Sequence, residues 1–316
     1  MTMVSSDSAA RITAEVLRRL AATPDARLRE IMTALVTHAH GFTRETGLTE
    51  EEWSRAVQFL TRAGQISTGG RQEFVLLSDT LGLSMLVDAI NHHVAPAGSR
   101  AVNHGSAATP DIGGQLPVTE STVLGPFYVP GSPRRDFGAS TALRPAGDPA
   151  WFTGRVTDPA GRPIAGAEID VWQNGDNMLY DVQDPIAPPG HLRGLFHSRD
   201  DGGYALLGVR PVDYPIPHDG PAGELLTATG RHPWRPAHLH MSVRAPGFRP
   251  VTTHVFDDAS RYLDSDAVFG VKRSLVRHFD RHEPGSPGRP AGVADDQAWY
   301  SVTFDVVLAP SGTPAP

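Results

Sequence analysis

Residues 236–243 read Pro236-Ala237-His238-Leu239-His240-Met241-Ser242-Val243. Ala237, Leu239, Met241 and Val243 alternate with His238, His240, Ser242 and Arg244, a period of two that predicts a strand. Residues i and i+2 point the same way from a pleated backbone, so one face is apolar and core-directed and the other carries both imidazoles. Two imidazoles fixed side by side invite a metal, because neutral histidine is the commonest metal ligand. His38 and His40 fall instead in a helical stretch, where i and i+2 point about 200° apart, so that pair cannot share an ion. His92 and His93 follow a helix and read as surface residues.

Outward from this strand the second part of the chain reads as β. Phe152 to Thr157 leads into the turn Asp158-Pro159-Ala160-Gly161. Ala167, Ile169 and Val171 alternate with Glu168 and Asp170, and residues 204–209, 251–256 and 300–308 are further strands. Short strands parted by Gly/Pro turns predict a β-sandwich, with one helix expected over 267–278. The first third is helical. Thr23 is read as an N-cap with Pro24 at the first helical position; Leu28, Ile31, Met32, Leu35 and Val36 follow at helical spacing, and Gly41 is read as the stop. Thr49-Glu50-Glu51-Glu52 is a capping box, with Leu48 placed to staple onto Trp53 and Gly64 at the end. Residues 74–90 form one or two more helices, and 94–118 is a Pro/Gly/Ser/Ala-rich linker. The expected organisation is a helical domain with its linker over 1–118 and a β-sandwich over 119–316.

Composition narrows the chemistry. The 316 residues are 40% hydrophobic and 20% charged, with a formal charge of −7, which fits a soluble globular protein and argues against nucleic acid as a partner. There is no cysteine, so disulfides, thiolate metal sites and cysteine nucleophiles are excluded. Met1 to Ala10 lacks the apolar core of a signal peptide, and no stretch approaches the ~20 apolar residues of a membrane span; a cytoplasmic location without membrane contact is the expectation.

What completes the shell of His238 and His240 is open from the strand alone. A carboxylate is one candidate, as in two-histidine, one-carboxylate iron sites, although Ser242 and Arg244 leave no acid on that strand face. Tyrosine is the other. Of the six tyrosines, Tyr204 and Tyr300 sit in strand patterns, Tyr128 in the rigid loop Gly125-Pro126-Phe127-Tyr128-Val129-Pro130, and Tyr262 in a polar loop. Tyr180 and Tyr214 lie in loop-like segments, Asn174-Gly175-Asp176-Asn177-Met178-Leu179-Tyr180 and Pro211-Val212-Asp213-Tyr214-Pro215.

The order Tyr180, Tyr214, His238, His240, with Arg235-Pro236-Ala237 before the first histidine, resembles the intradiol ring-cleavage dioxygenases. Val123-Leu124-Gly125-Pro126-Phe127-Tyr128 and Gly154-Arg155-Val156-Thr157-Asp158 resemble that family too. Pro250-Val251-Thr252-Thr253-His254-Val255-Phe256-Asp257 and Tyr262-Leu263-Asp264-Ser265-Asp266-Ala267-Val268-Phe269-Gly270-Val271-Lys272 are most similar to its hydroxyquinol 1,2-dioxygenases. Catechol 1,2-dioxygenases usually carry glutamine where this chain has His254.

The resemblance implies a β-sandwich catalytic domain behind a helical dimerisation-type domain, and Fe(III) held by Tyr180, Tyr214, His238 and His240. It implies an aromatic diol or triol and O2 as substrates, hydroxyquinol before catechol or chlorocatechol, and a homodimer through the N-terminal helices. Hard phenolate and imidazole donors suit a hard trication, and although free tyrosine has a pKa near ~10, an adjacent trication ionises it. Tyr214 is then the axial phenolate that leaves as substrate binds, while Tyr180 and His238 stay equatorial and His240 axial. Arg235 stabilises negative charge. His254 either orients bound oxygen or supports a ligand by hydrogen bonding. Met85, Asp88, Leu124, Gly125, Pro126, Phe127, Ile216 and Pro217 line the substrate pocket, with Asp88 a partner for a third ring hydroxyl. The rival from another class is a metal-free β-sandwich binding module, for which the strand-turn-strand pattern from Gly154 to Trp172 is the support.

Overall fold

The computed structural model describes residues 6–68, 70–92 and 115–312. Residues 94–114 of the expected linker, and His93, lie outside them. Five helices come first: α1 (Ser6–Leu20), α2 (Ala26–Thr46), α3 (Glu50–Ile66), α4 (Glu73–Thr80) and α5 (Leu83–His92). The strands follow as β1 (Pro149–Thr157), β2 (Glu168–Trp172), β3 (Arg193–His197), β4 (Gly203–Val209), β5 (Tyr214–Pro215), β6 (Trp234–Arg235), β7 (His238–Arg244), β8 (Val251–Asp257), β9 (Val276–Arg277), β10 (Asp280–His282), β11 (Trp299–Thr303) and β12 (Val306–Val307). Helix α6 (Pro221–Ala228) lies between β5 and β6. The described residues up to Arg62 form one compact unit and those from Ala63 onward another, so α4 and α5 group with the sheets. No described helix is long and apolar enough to cross a membrane.

In the first unit the capping box forms as expected. Thr49 Oγ1 accepts the Glu52 N–H at 3.2 Å, and the Glu52 carboxylate accepts the Thr49 N–H at 2.9 Å. Helix α2 starts later and ends later than expected. Asp25, not Thr23, caps it by accepting the Leu28 N–H at 2.6 Å, because a carboxylate two residues further along is the stronger capping acceptor. The helix runs through Gly41 to Gly47, which takes the left-handed cap at φ 61°.

In the second unit two five-stranded sheets face each other. One runs β10-β11-β1-β12, with β4 also paired to β1; the other runs β3-β2-β7-β8-β9. Leu239, Met241 and Val243 of β7 meet Ile169 and Val171 of β2 and Phe152 and Leu206 of the opposite sheet in one buried core. Each such side chain contributes about 1.5–3 kcal/mol of burial, and this fixes β7 in register, since a slip of one residue would turn its histidines into the core. The outer face of the β7 sheet carries a second buried cluster that contains Trp172, Tyr180, Tyr214, Ile216, Ala267 and Val268.

The helix expected over 267–278 does not form. Asp266 takes the backbone N–H of Val268 and Gly270 onto its side chain, and Phe269 adopts φ 60°; both compete with helical hydrogen bonding. Only one 3-10 turn, Arg273–Leu275, precedes β9. The expected strand over 300–308 is divided into β11 and β12, where the chain moves from one part of β1 to the next.

Candidate metal centre

Strand pairing lays out one row of rings. Trp172 of β2 lies opposite His240 of β7, and His240 opposite His254 of β8. Trp172 stacks on His240 with centroids 4.7 Å apart and planes at 13°, and His254 meets His240 edge-on at 4.1 Å. His238 and His240 are buried, side by side on the outer face of β7.

Two tyrosines reach this row, Tyr180 from a loop and Tyr214 from the two-residue strand β5. Tyr180 Oη lies 3.1 Å from His240 Nε2 and donates to Tyr214 Oη at 3.2 Å, and His238 Nε2 lies 3.1 Å from His240 Nε2. Phe127 stacks on Tyr180 at 4.6 Å, and short β5–β6 pairing sets Tyr214 opposite Arg235. Arg235 Nη1 stands 3.3 Å from both Tyr214 Oη and His238 Nε2. Tyr180, Tyr214, His238 and His240 thus converge from three separate segments.

The donor set fits one ion. Atoms that share a metal at bonds of about 2 Å lie about 3–4 Å from one another, as Tyr180–Tyr214, Tyr180–His240 and His238–His240 do. His238 Nδ1 donates to the Pro236 carbonyl at 2.6 Å, the tautomer that leaves Nε2 as the lone pair facing the other donors. His240 Nδ1 has no partner. Two phenol oxygens and two imidazoles suit a hard, highly charged cation better than a soft one.

Among the described residues, His238, His240 and His254 also form a group close enough for a metal. Ring geometry disfavours it. His254 lies nearly parallel to His238, 4.5 Å away with planes at 24°. Imidazole lone pairs lie in the ring plane, so stacked rings direct them alongside one another rather than at one point. His254 Nε2 instead donates to the Val123 carbonyl at 3.0 Å, tying β8 to the loop that carries Leu124, Gly125, Pro126 and Phe127.

Electrostatics separates the two tyrosines. Burial pushes both phenols up. For Tyr180 the neighbouring Tyr214 adds to the rise and Arg235 opposes it less, whereas for Tyr214 the Arg235 guanidinium, by charge and by hydrogen bond, is the main opposing influence. Burial pulls Arg235 down, but Asp266 and Tyr214 outweigh it and the guanidinium stays charged. Burial, ahead of neighbouring charges, holds His238, His240 and His254 well below the usual histidine range, so all three are neutral at pH 7.

This sets a pH dependence. Below ~6.5 the unfolded chain takes up protons that the folded one refuses, so unfolded chain binds more protons and stability rises with pH in that window. Protein stripped of metal is expected to lose up to ~1.4 kcal/mol per histidine for each pH unit below ~6.5. Urea denaturation at pH 7.5 and 5.5 checks it; equal or greater stability at pH 5.5 contradicts it.

The remaining residues singled out in the sequence fall as follows. Met85 packs on the cluster of Tyr180 and Tyr214. Gly125 has φ 79°, and a Cβ there would stand 3.1 Å from His240 Cε1, so the loop passes directly over the imidazole. Phe127 and Ile216 are buried beside the tyrosines, Leu124 is exposed and Pro217 half-buried. Asp88 is engaged by Lys272 Nζ and His92 Nδ1, each at 3.0 Å.

Sequence reading passed over three contributors. Trp172 stacks on His240. Asp266 pairs with Arg235 at 3.0 Å. Asp79 of α4 is buried and raised in pKa by that burial, with Arg235 and Asp266 close enough to act on its charge. Asp79 lies in Leu76-Leu77-Ser78-Asp79, where an acid among apolar neighbours was the available signal.

Comparison with known proteins agrees with this arrangement. The sequence matches the family described as "Dioxygenase" over residues 123–310 and "Catechol dioxygenase N terminus" over 25–98. It is 46% identical to hydroxyquinol 1,2-dioxygenase of Nocardioides simplex across 98% of this chain and 99% of that one. Its fold is similar to the crystal structure of hydroxyquinol 1,2-dioxygenase from Pseudomonas putida DLL-E4, with a TM-score of 0.82 and 43% identity over 96% of this chain and 99% of that chain. Catechol 1,2-dioxygenase from Pseudomonas arvilla C-1 follows with a TM-score of 0.79 and 26% identity over 98% and 94%. An N-terminal helical region, a β-sandwich with a tyrosine–histidine donor cluster on its outer face, and full-length likeness to ring-cleaving enzymes lead to one conclusion: the chain belongs to the intradiol ring-cleavage dioxygenase family.

Proposed function

We propose that this enzyme opens hydroxyquinol (1,2,4-trihydroxybenzene) with O2 between its vicinal hydroxyls, giving 3-hydroxy-cis,cis-muconate and its tautomer maleylacetate. Iron(III) held by Tyr180, Tyr214, His238 and His240 would serve it. The observation that carries this reading is the convergence of Tyr180 Oη, Tyr214 Oη, His238 Nε2 and His240 Nε2 at 3.1–3.2 Å. The names of the relatives support hydroxyquinol as the substrate.

When bound, the iron supplies a Lewis-acidic centre at which a deprotonated vicinal diol becomes reactive toward dioxygen. The residues of the chain do the rest. Tyr214 Oη, to which Arg235 donates, would help hold the iron and is the phenol oxygen best placed to take a proton from a substrate hydroxyl, its charge steadied by the guanidinium. Tyr180, wedged against Phe127, keeps its position. Arg235 Nη1 supplies a fixed positive edge to negative charge that develops on the ring. His254 supports the site by holding the Val123 carbonyl, and so the loop over His240. Leu124, Gly125, Pro126, Phe127, Met85, Ile216 and Pro217 form the pocket walls. For a third ring hydroxyl, Asp88, held by Lys272 and His92, is the acid read from the sequence, and buried Asp79, within electrostatic reach of Arg235, is the second candidate.

A second copy of the chain is the proposed partner. Leu28, Ile31 and Leu35 of α2 are exposed, as is Phe42, an apolar stripe that a homodimer through the N-terminal helices would cover. The division into a helical domain over 1–118 and a catalytic domain over 119–316 remains our reading of the chain's organisation.

Metal analysis with a substrate panel tests the proposal. We expect one iron per chain, a visible tyrosinate-to-iron absorption band that shifts on anaerobic addition of hydroxyquinol, and kcat/KM for hydroxyquinol at least ~10-fold above that for catechol. A purified protein without iron would support a metal-free module and refute the reading. A reversed preference would move the substrate to catechol or chlorocatechol.

A further inference from the structure

Arg235 is held by a fork that leaves one edge free. Its Nε donates to Asp266 Oδ1 at 3.0 Å and its Nη2 to Oδ2 at 3.3 Å, with both side chains buried. The remaining nitrogen, Nη1, is the one that faces Tyr214 Oη and His238 Nε2. An arginine fixed at two nitrogens has little rotamer freedom left, so the direction of the third is set by its partner.

The same carboxylate shapes the pocket wall. It accepts the Val268 N–H at 3.3 Å and the Gly270 N–H at 2.9 Å, closing residues 266–270 into a tight turn. Ala267 and Val268, on that turn, belong to the buried cluster that contains Tyr180, Tyr214 and Ile216. Gly270 permits the close fit, since a Cβ there would stand 3.0 Å from Arg235 Nη2 and 3.1 Å from Asp266 Oδ2.

We infer that Asp266 is a positioning residue for ring cleavage: it aims Arg235 Nη1 at Tyr214 Oη and sets the Ala267–Val268 wall beside the reacting ring. The inference rests on the iron-dependent reading above. Asp266 hydrogen-bonds none of the four donors: it acts by contact through Arg235 and the turn, and its charge also raises the Tyr214 pKa through space. Gly270→Ala, which leaves that charge in place, is therefore the variant that isolates positioning.

The test uses the iron-loaded full-length enzyme with hydroxyquinol. Asp266→Asn preserves shape and removes the charge; Gly270→Ala preserves the charge and presses a methyl against Arg235. In both variants we expect iron content as in the unsubstituted protein and kcat per bound iron lower by about 10- to 100-fold. KM should stay within about threefold, and the tyrosinate-to-iron band should move. In an Arg235→Gln background, Asp266→Asn should add little further loss, because the two act as one unit.

An Asp266→Asn enzyme with unchanged kcat per iron and an unmoved band overturns the inference. So does a loss confined to iron content, or full additivity with Arg235→Gln, since either marks a merely structural role. If Asp266→Asn does not fold, Gly270→Ala decides alone, and unchanged turnover there overturns the proposal. Failure of the underlying reading looks different: the unsubstituted protein would itself lack the band and ring cleavage.

Discussion

Tyr180→Phe and His238→Ala are each expected to yield folded protein that no longer holds stoichiometric iron. Four-donor structural zinc sites bind with apparent free energies on the order of 10–16 kcal/mol, and on that scale losing one of four donors is expected to cost about 3 kcal/mol or more, over 100-fold in affinity. Tyr180→Phe is the cleaner of the two. It keeps the ring that stacks on Phe127 at 4.6 Å and removes only the oxygen that lies 3.1 Å from His240 Nε2 and 3.2 Å from Tyr214 Oη. Tyr180→Ala would also open a cavity and lower stability by roughly 3–5 kcal/mol, mixing two effects. Iron per chain by elemental analysis, read beside a thermal melt, separates them. A Tyr180→Phe protein with full iron and an unaltered visible band sinks the ligand assignment.

Arg235→Gln is expected to reduce kcat per bound iron by about 10²- to 10³-fold, the loss typical of removing one fixed donor from a site where charge develops. It also leaves Asp266, only 6% exposed, as a buried carboxylate without its counter-ion, and stability should fall by about 3–5 kcal/mol. Arg235→Lys restores charge but not the fork, because one ammonium cannot meet both Asp266 oxygens and still reach Tyr214; its kcat should lie between the two. Steady-state kinetics normalised to iron, with urea midpoints, reads both effects. Turnover equal to the unsubstituted enzyme in Arg235→Gln would remove Arg235 from the chemistry.

The sequence made some parts of this molecule legible and concealed others for physical reasons. Residues 238–244 form a strand as read, because an alternating pattern with one buried face admits a single register. The helical first third and the sandwich behind it were readable in the same way. Tyr180 sits in a loop and Tyr214 on a strand of only two residues, so neither carries a periodic signal, and only their order before His238 marked them. The segment 267–278 misled because its apolar residues resemble a helix face. What decides its course is the Asp266 side chain, which captures two backbone N–H groups, and the contact of Gly270 with Arg235. The capture is local, but it holds only because Arg235, distant in sequence, fixes the Asp266 carboxylate. Asp266 and Trp172 escaped notice for the same reason: an acid in a loop and an aromatic at a strand end acquire meaning only when Arg235 and His240 are placed against them.

Trp172 has a use beyond packing. It lies flat on the His240 imidazole at 13°, while Trp234 and Trp299 stack on Tyr262 and His282 instead. Its indole is sealed from water and its Nε1 has no partner, so solvent relaxation does not mask its emission. Of the five indoles, this one alone shares a face with a donor ring. Emission from Trp172 is therefore expected to change when a metal occupies the His240 site, a readout that needs no attached label.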